Sequence, residues 1–338
     1  MAPSIRRGFL VAIPVGIAAL TELELKTPVT GAVTIGASIT GFVAFEAPAR
    51  TRFVWQLGIA PLVGVAAALG AITGESAAAA VPSMAVFAGL AALTVAVSRR
   101  LAIAALNVVL AFLIAQGLSL EIHDTAQVLV LGAVGALAQA ALSLIVAVLE
   151  GPLERPHPIA GARDALATIR ANLHLRSPAL RHAVRSAGAL GLAVAAYHAI
   201  HLGKHGYWIP LTVIFVLKPA RIETDERIEM RIAGTLVGLA FATGLAGLVD
   251  HSPLANTAIL TIAAALGYAM LLIEYALFTF AITTYIVTLS HAMGESAVNA
   301  VDERALGTAI GVAIALLAFA ALRDRPAPRT RSSTATTG

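Results

Sequence analysis

The chain has 338 residues, of which 58% are hydrophobic and only 12% are charged, and its mean hydropathy is +0.85. Soluble domains do not have this composition, so an integral membrane protein is expected. The chain has no cysteine, which excludes disulfides, a thiol nucleophile and a cysteine-ligated metal. We expect neither a metal nor a cofactor, and we assign the net charge of +4 to loops beside the membrane rather than to nucleic-acid binding.

The length of the apolar segments predicts an all-α membrane protein with about twelve transmembrane helices, because one such helix needs about 20 apolar residues. The first six-span half occupies residues 1–149, with spans at 8–21, 28–45, 55–73, 82–97, 101–118 and 126–149. The second half occupies residues 182–322, with spans at 182–200, 207–217, 228–249, 253–273, 275–291 and 305–322. Between them, residues 150–181 are predicted to be a cytoplasmic linker with one amphipathic helix. Residues 323–338 are expected to be a disordered cytoplasmic tail.

The distribution of positive charge predicts the orientation, since short loops rich in Lys and Arg stay in the cytoplasm. Arg6 and Arg7 precede an apolar run that we interpret as a retained first span rather than a signal peptide. With the N-terminus inside, only Lys26, Lys204 and Arg304 among the 23 Lys and Arg residues fall outside. Both termini are therefore expected in the cytoplasm.

Two levels of repetition are present in the sequence. "PLVGVAAALG" at 61–70 matches "TLVGLAFATG" at 235–244, and both lie in the third span of their half. We interpret the chain as a tandem six-helix duplication. A finer pattern, Arg-x-x-Gly-Thr-x-x-Gly, occurs in "RIAGTLVG" at 231–238 and "RALGTAIG" at 304–311. Each copy is expected to begin the last helix of a three-span group, which predicts an inverted three-helix repeat with Arg231 at the cytoplasmic mouth and Arg304 at the external mouth.

Several of these segments resemble one family. "YWIPLTVIFVLKP" followed by "RIAGTLVG", then "EYALFTFAITTYIVTL" and "RALGTAIG", are similar to the fusaric acid resistance family of integral membrane transporters. That resemblance implies that the protein is related to bacterial aromatic acid exporters and to plant aluminium-activated malate channels. It also implies that the protein is located in the bacterial cytoplasmic membrane. It is specific over residues 181–322. In the first half Ala60-Pro61 and Gly132-Ala133 stand where the motif would place Gly-Thr.

The motif arginines are the leading candidates for a substrate pathway. A buried arginine is costly in a membrane and is therefore often functional, and Arg231, Arg304 and Lys218 can attract anions. The alternative for the two arginines is snorkelling, or a salt bridge to Glu229 or Asp302. The motif glycines are predicted to mediate close helix packing; they are Gly234, Gly238, Gly307 and Gly311.

Hydroxyl side chains recur at helical spacing in the predicted spans. Thr30, Thr34 and Ser38 share one face of the second span. Further candidate pathway residues are Thr212, Thr235, Thr283, Thr284 and Thr308. These hydroxyls either line a water-filled route or bond to helix backbones.

Three functions remain open at this point. The first is export of small organic anions, which the resemblance narrows to aromatic carboxylic acids. The second is a passive anion channel, favoured because no Asp or Glu falls near a predicted midplane. The third is a non-transporting membrane scaffold. An enzyme is not expected, because no nucleophile and base or metal-ligand cluster appears in the spans. The expected partners are the lipid bilayer and the anion, and a homodimer is left open.

Overall fold

The computed structural model describes residues 3–25, 31–117, 125–150, 161–174, 176–200, 206–246, 252–271, 273–292 and 297–321. Within these ranges the chain is all-α. The α-helices are α1 (Pro3–Leu25), α2 (Gly31–Gly41), α3 (Ala49–Gly74), α4 (Ala77–Leu93), α5 (Arg99–Gly117), α6 (Thr125–Leu149), α7 (Ala162–Ala171), α8 (Pro178–Ile200), α9 (Trp208–Val216), α10 (Arg221–Ala246), α11 (Pro253–Met270), α12 (Tyr275–Ala292) and α13 (Ala297–Ala321). The all-α class predicted from composition is confirmed.

Each predicted span has a helix, but several helices begin earlier than predicted. α3 begins at Ala49 rather than 55, α10 at Arg221 rather than 228, and α13 at Ala297 rather than 305. Hydrophobicity marks only the apolar part of a helix, and these helices continue into polar turns. In α10 the first turn includes the acidic Glu223, which the positive end of the helix dipole stabilises.

Helix pairing in the first half recurs in the second. α1 packs on α11 and α8 packs on α4, so each half pairs its first helix with the fourth helix of the other half. Within the halves, α2 packs on α6 and α3 on α5, as α9 packs on α13 and α10 on α12. A tandem duplication would produce this pattern. The duplication, the domain boundaries and the inverted three-helix repeat stay predictions.

One buried apolar cluster joins the two halves. It contains Trp55 and Phe112 from the first half and Leu190, Trp208 and Phe319 from the second. Alanine supplies much of the remaining buried surface of the helices, and small residues let helices approach closely. The two halves therefore share a packed interior that includes α9.

The described helices differ in length in a way that matters for a bilayer. Seven of them are long and apolar enough to cross a membrane. Parts of α2, α11 and α12 are apolar but shorter. α9 is the shortest of the described helices, with nine residues, which is about 13 Å against a hydrocarbon core of about 30 Å.

Candidate functional site: two buried arginines at the ends of a short helix

The short helix α9 lies in the interior of the molecule. All of its residues except Phe215 are buried. It ends before Pro219 because the residue preceding a proline disfavours helical geometry, and Leu217 is extended, with a ψ of 115°. The backbone N–H of Lys218 then donates to Oγ1 of Thr224, over 2.9 Å. The predicted short span is thus a broken helix enclosed by its neighbours.

The glycines of the repeated motif allow two helix pairs to come into backbone contact. A methyl group placed on Gly311 would stand 2.7 Å from the carbonyl oxygen of Ile209 and 2.7 Å from Cβ of Thr212. At these contacts α13 packs directly against the backbone of α9. A real Cβ rarely approaches other atoms this closely, so only glycine fits here.

The second motif makes the equivalent contact between α10 and α12. A methyl group on Gly234 would meet the carbonyl oxygen of Ala276 and stand 2.8 Å from Cβ of Thr279. On Gly238 it would stand 2.9 Å from Cβ of Thr283. Each of these glycines thus lies over a threonine of the facing helix. Gly307 is less tightly placed, 3.1 Å from Cβ of Trp208.

This packing places one arginine near each end of α9. Cζ of Arg304 lies 5.2 Å from the centroid of the Trp208 ring, at the first residue of the helix. Cζ of Arg231 lies 5.6 Å from the centroid of the Phe215 ring, near its last residue. Trp208 and Phe215 are seven positions apart, which is about 10 Å along the helix. The two arginines are near enough for their positive charges to repel each other.

The position of the arginines corrects two expectations from the sequence. Neither begins its helix, because α10 starts at Arg221 and α13 at Ala297. Neither lies at an exposed mouth, because both side chains are 0% exposed. The polar turns before each arginine are helical, and they carry both residues into the protein interior.

The arginines have no hydrogen-bond partner among the described residues. All three guanidinium nitrogens of Arg231 and of Arg304 are buried without one. Glu229 and Asp302, the acidic neighbours that could have formed salt bridges, are exposed. Complete burial likewise rules out snorkelling. A desolvated cation–π contact returns about 2 kcal/mol, whereas burying an unpaired charge costs several kcal/mol.

Six buried threonines on the surrounding helices share this lack of partners. Other helical threonines bond back to their own helix, as the buried Thr224 does to the carbonyl oxygen of Ala220 over 3.2 Å. On α9, α10, α12 and α13, the buried threonine hydroxyls without a partner among the described residues belong to Thr212, Thr235, Thr279, Thr283, Thr284 and Thr308. Thr235 and Thr308 each lie one helical turn after an arginine and on the same face. Hydroxyl donors and acceptors thus accompany the two charges.

The remaining predicted site residues lie elsewhere. Lys218 is half-buried beyond the end of α9 and lines a separate cavity. Thr34 is buried on α2, and Thr30 falls outside the described residues. Ser38, also on α2, accepts a hydrogen bond through its carbonyl oxygen from the hydroxyl of Tyr268, over 2.8 Å. The α2 stripe is therefore not part of the arginine site.

Sequence reasoning missed the aromatic residues that hold the arginines. Trp208 and Phe215 contact the two guanidinium groups, and Phe278 of α12 lies 5.4 Å from Phe215, centroid to centroid. The sequence feature that could have indicated them is the presence of aromatic residues at both ends of an unusually short apolar segment. The first half of the chain has no equivalent pair of arginines, since Leu57 and Leu129 occupy the positions aligned with Arg231 and Arg304.

The fold and composition define an all-α integral membrane protein. Residues 192–318 match the family described as "Fusaric acid resistance protein-like", a range that contains both arginines and all six threonines. This part of the chain is similar to that family of membrane proteins, in agreement with the resemblance found in the sequence. No solved structure matches the chain.

Three relatives illustrate how far the similarity extends. The inner membrane protein YccS of Escherichia coli (strain K12) is 34% identical over 164 residues, which is 48% of this chain and 22% of that protein. The uncharacterized protein slr1298 of Synechocystis is 39% identical over 159 residues, 45% of this chain and 20% of that protein. The uncharacterized protein ORF2 of Neisseria gonorrhoeae is 32% identical over 157 residues, 46% of this chain and 36% of that protein. The matched region is thus a minor part of each relative.

Proposed function

We propose that this protein moves small organic anions across the membrane and that Arg231 and Arg304 bind the anion on its way. The observation that carries the proposal is the burial of two cations without a hydrogen-bond partner among the described residues. An anion between them would supply the missing acceptors and offset the desolvation cost. The threonine hydroxyls beside them would complete its coordination.

The two ends of α9 are not equivalent in this proposal. The N-terminus of a helix carries a partial positive charge and the C-terminus a partial negative charge. Arg304 lies by the first residue of α9 and adds to the positive end, whereas Arg231 lies toward the negative end. An anion is therefore held more strongly beside Arg304, and movement along α9 toward Arg231 is movement toward weaker binding. This difference in binding strength would allow the anion to be bound beside Arg304 and released beside Arg231.

The substrate class and the direction of transport rest on the family resemblance. We propose aromatic carboxylic acids, exported from the cytoplasm, with movement of one repeat against the other. A passive channel is the second candidate, favoured by one observation: among the residues whose burial is described, none of the buried polar groups is Asp or Glu. Proton-coupled transporters commonly use such a buried carboxylate. A scaffold without transport activity is the third candidate.

Flux through the purified protein in liposomes separates these three candidates. Benzoate movement is measured with and without a pH gradient, and protein-free liposomes correct for diffusion of the neutral acid. Accumulation against the benzoate gradient, driven by the pH gradient, indicates an exporter. Movement only down the benzoate gradient indicates a channel. No protein-dependent flux of benzoate or of a dicarboxylate such as malate would refute the proposal and leave the scaffold.

A further inference from the structure

A cavity that neither Arg231 nor Arg304 lines lies where the two halves of the protein meet. It has a volume of about 340 Å³ and is enclosed by α4 and α5 of the first half and by α8 and the end of α9 of the second. None of its lining residues comes from α10, α12 or α13. It is therefore distinct from the site that contains Arg231 and Arg304.

The walls of this cavity are apolar and largely buried. Ala88 and Ala92 of α4 leave space by the small size of their side chains, and they are 3% and 9% exposed. Leu190, Val213 and Ile214 form the opposite wall and are buried as well. A surface of this kind favours a hydrophobic body over a hydrated ion.

The polar groups of the cavity are cationic or neutral. Arg99 and Lys218 line it, together with His182 and Ser186, and no Asp or Glu does. Arg99 is exposed and Lys218 half-buried, so these two cations lie at the open end. The nearby Arg185 donates to the carbonyl oxygen of Pro219 over 3.1 Å and so holds the loop that carries Lys218.

The Lys218 ammonium is charged at neutral pH even in this partly desolvated position. Its pKa is lowered to about 8, mainly by burial and also by Arg227, while Glu223 acts in the opposite direction. At pH 7 most Lys218 side chains therefore carry a proton, and an anion at the open end finds a positive group there.

We infer that this cavity binds an amphipathic organic anion, with a compact apolar body between α4, α5, α8 and α9 and a carboxylate at Arg99 and Lys218. The volume is near the lower end for small-molecule sites, which begin at about 300 Å³. It suits one small molecule rather than a two-chain lipid. The cationic end and apolar interior match the two parts of such a ligand. The inference concerns binding alone and does not depend on transport.

Isothermal titration of the detergent-solubilised protein with 2-naphthoate tests the inference. Two probes separate the parts of the ligand: 2-naphthalenemethanol keeps the apolar body without the charge, and acetate keeps the charge without the body. Both are expected to bind at least about 10-fold more weakly than 2-naphthoate. Equal affinity for 2-naphthoate and 2-naphthalenemethanol would overturn the inference, since it would indicate partition without charge recognition.

Matched variants assign the binding to this cavity rather than to the arginine pair. Ala88→Phe fills the space and should abolish binding, and Lys218→Gln and Arg99→Gln should each weaken it by about 10-fold. Arg100→Gln, a neighbour that does not line the cavity, should bind like the wild type. Because Lys218→Gln and Arg99→Gln change exposed or half-exposed groups, they test the site even if Ala88→Phe fails to fold. Wild-type affinity in both of these charge variants would overturn the assignment.

Discussion

Replacing Gly311 by alanine tests whether α13 and α9 make backbone contact. The added methyl group would stand 2.7 Å from the carbonyl oxygen of Ile209 and from Cβ of Thr212, whereas carbon atoms pack best at about 3.5–4.0 Å. The helices must therefore separate by about 1 Å. Overpacking of this kind costs about 1–3 kcal/mol, partly offset by about 1 kcal/mol from the better helix propensity of alanine.

Gly244→Ala is the matched control, because a methyl group at Gly244 meets nothing within 4 Å and gains only the propensity. The free energies of unfolding of the two variants are compared by denaturant titration in mixed micelles. Emission from Trp208, which packs against Gly307 of the same interface, follows the separation of α13 from α9. We expect Gly311→Ala to be about 1–3 kcal/mol less stable than Gly244→Ala. Equal stability of the two variants would refute the backbone contact.

Two further variants are measured by the same unfolding titration. Arg185→Met removes a guanidinium that lies 3.8 Å from the centroid of the Phe319 ring and donates to Pro219, so unfolding should become easier by about 1–3 kcal/mol. Unchanged stability would mean that these contacts contribute nothing. Ser143→Ala removes a 2.6 Å hydrogen bond to Oε1 of Gln56 and leaves that buried oxygen without its donor. A loss of about 1–3 kcal/mol is expected, and a loss below 0.5 kcal/mol, roughly that of a surface change, would contradict it.

The existence of the helices could be predicted from the sequence, because an apolar segment and its flanking charges are local features. The break after α9 was also readable, since Lys218-Pro219 and the short apolar segment are adjacent in the chain. The predicted first residues of the helices were less accurate. The charged turns before Arg231 are helical but not apolar, so a rule based on hydrophobicity places the beginning of α10 too late.

The candidate site was only partly predictable. The repeated motif identified Arg231, Arg304 and the packing glycines, because spacing within one helix is visible in the sequence. The contacts of these residues could not be predicted in this way, since Arg304 contacts Trp208 only when α13 packs on α9. The cavity between α4, α5, α8 and α9 could not be predicted for the same reason, because its walls come from both halves of the chain. Complete burial of the two arginines depends on the packing of several helices and could not be derived from either motif alone.

The central claim, that the buried arginines serve an anion rather than the fold, is tested most directly by Arg304→Met. Benzoate flux in liposomes and the free energy of unfolding are measured on the same preparation, with Arg221→Gln as the control. Arg221 is an exposed arginine, with 60% of its side chain accessible, that pairs with Asp225. Removing an unpaired buried charge relieves a desolvation cost, so the variant should be as stable as the wild type or more stable by up to about 4 kcal/mol. Its flux should fall at least about 10-fold, which corresponds to about 1.4 kcal/mol. Unchanged flux with a loss of stability would contradict the claim and would make Arg304 a structural residue.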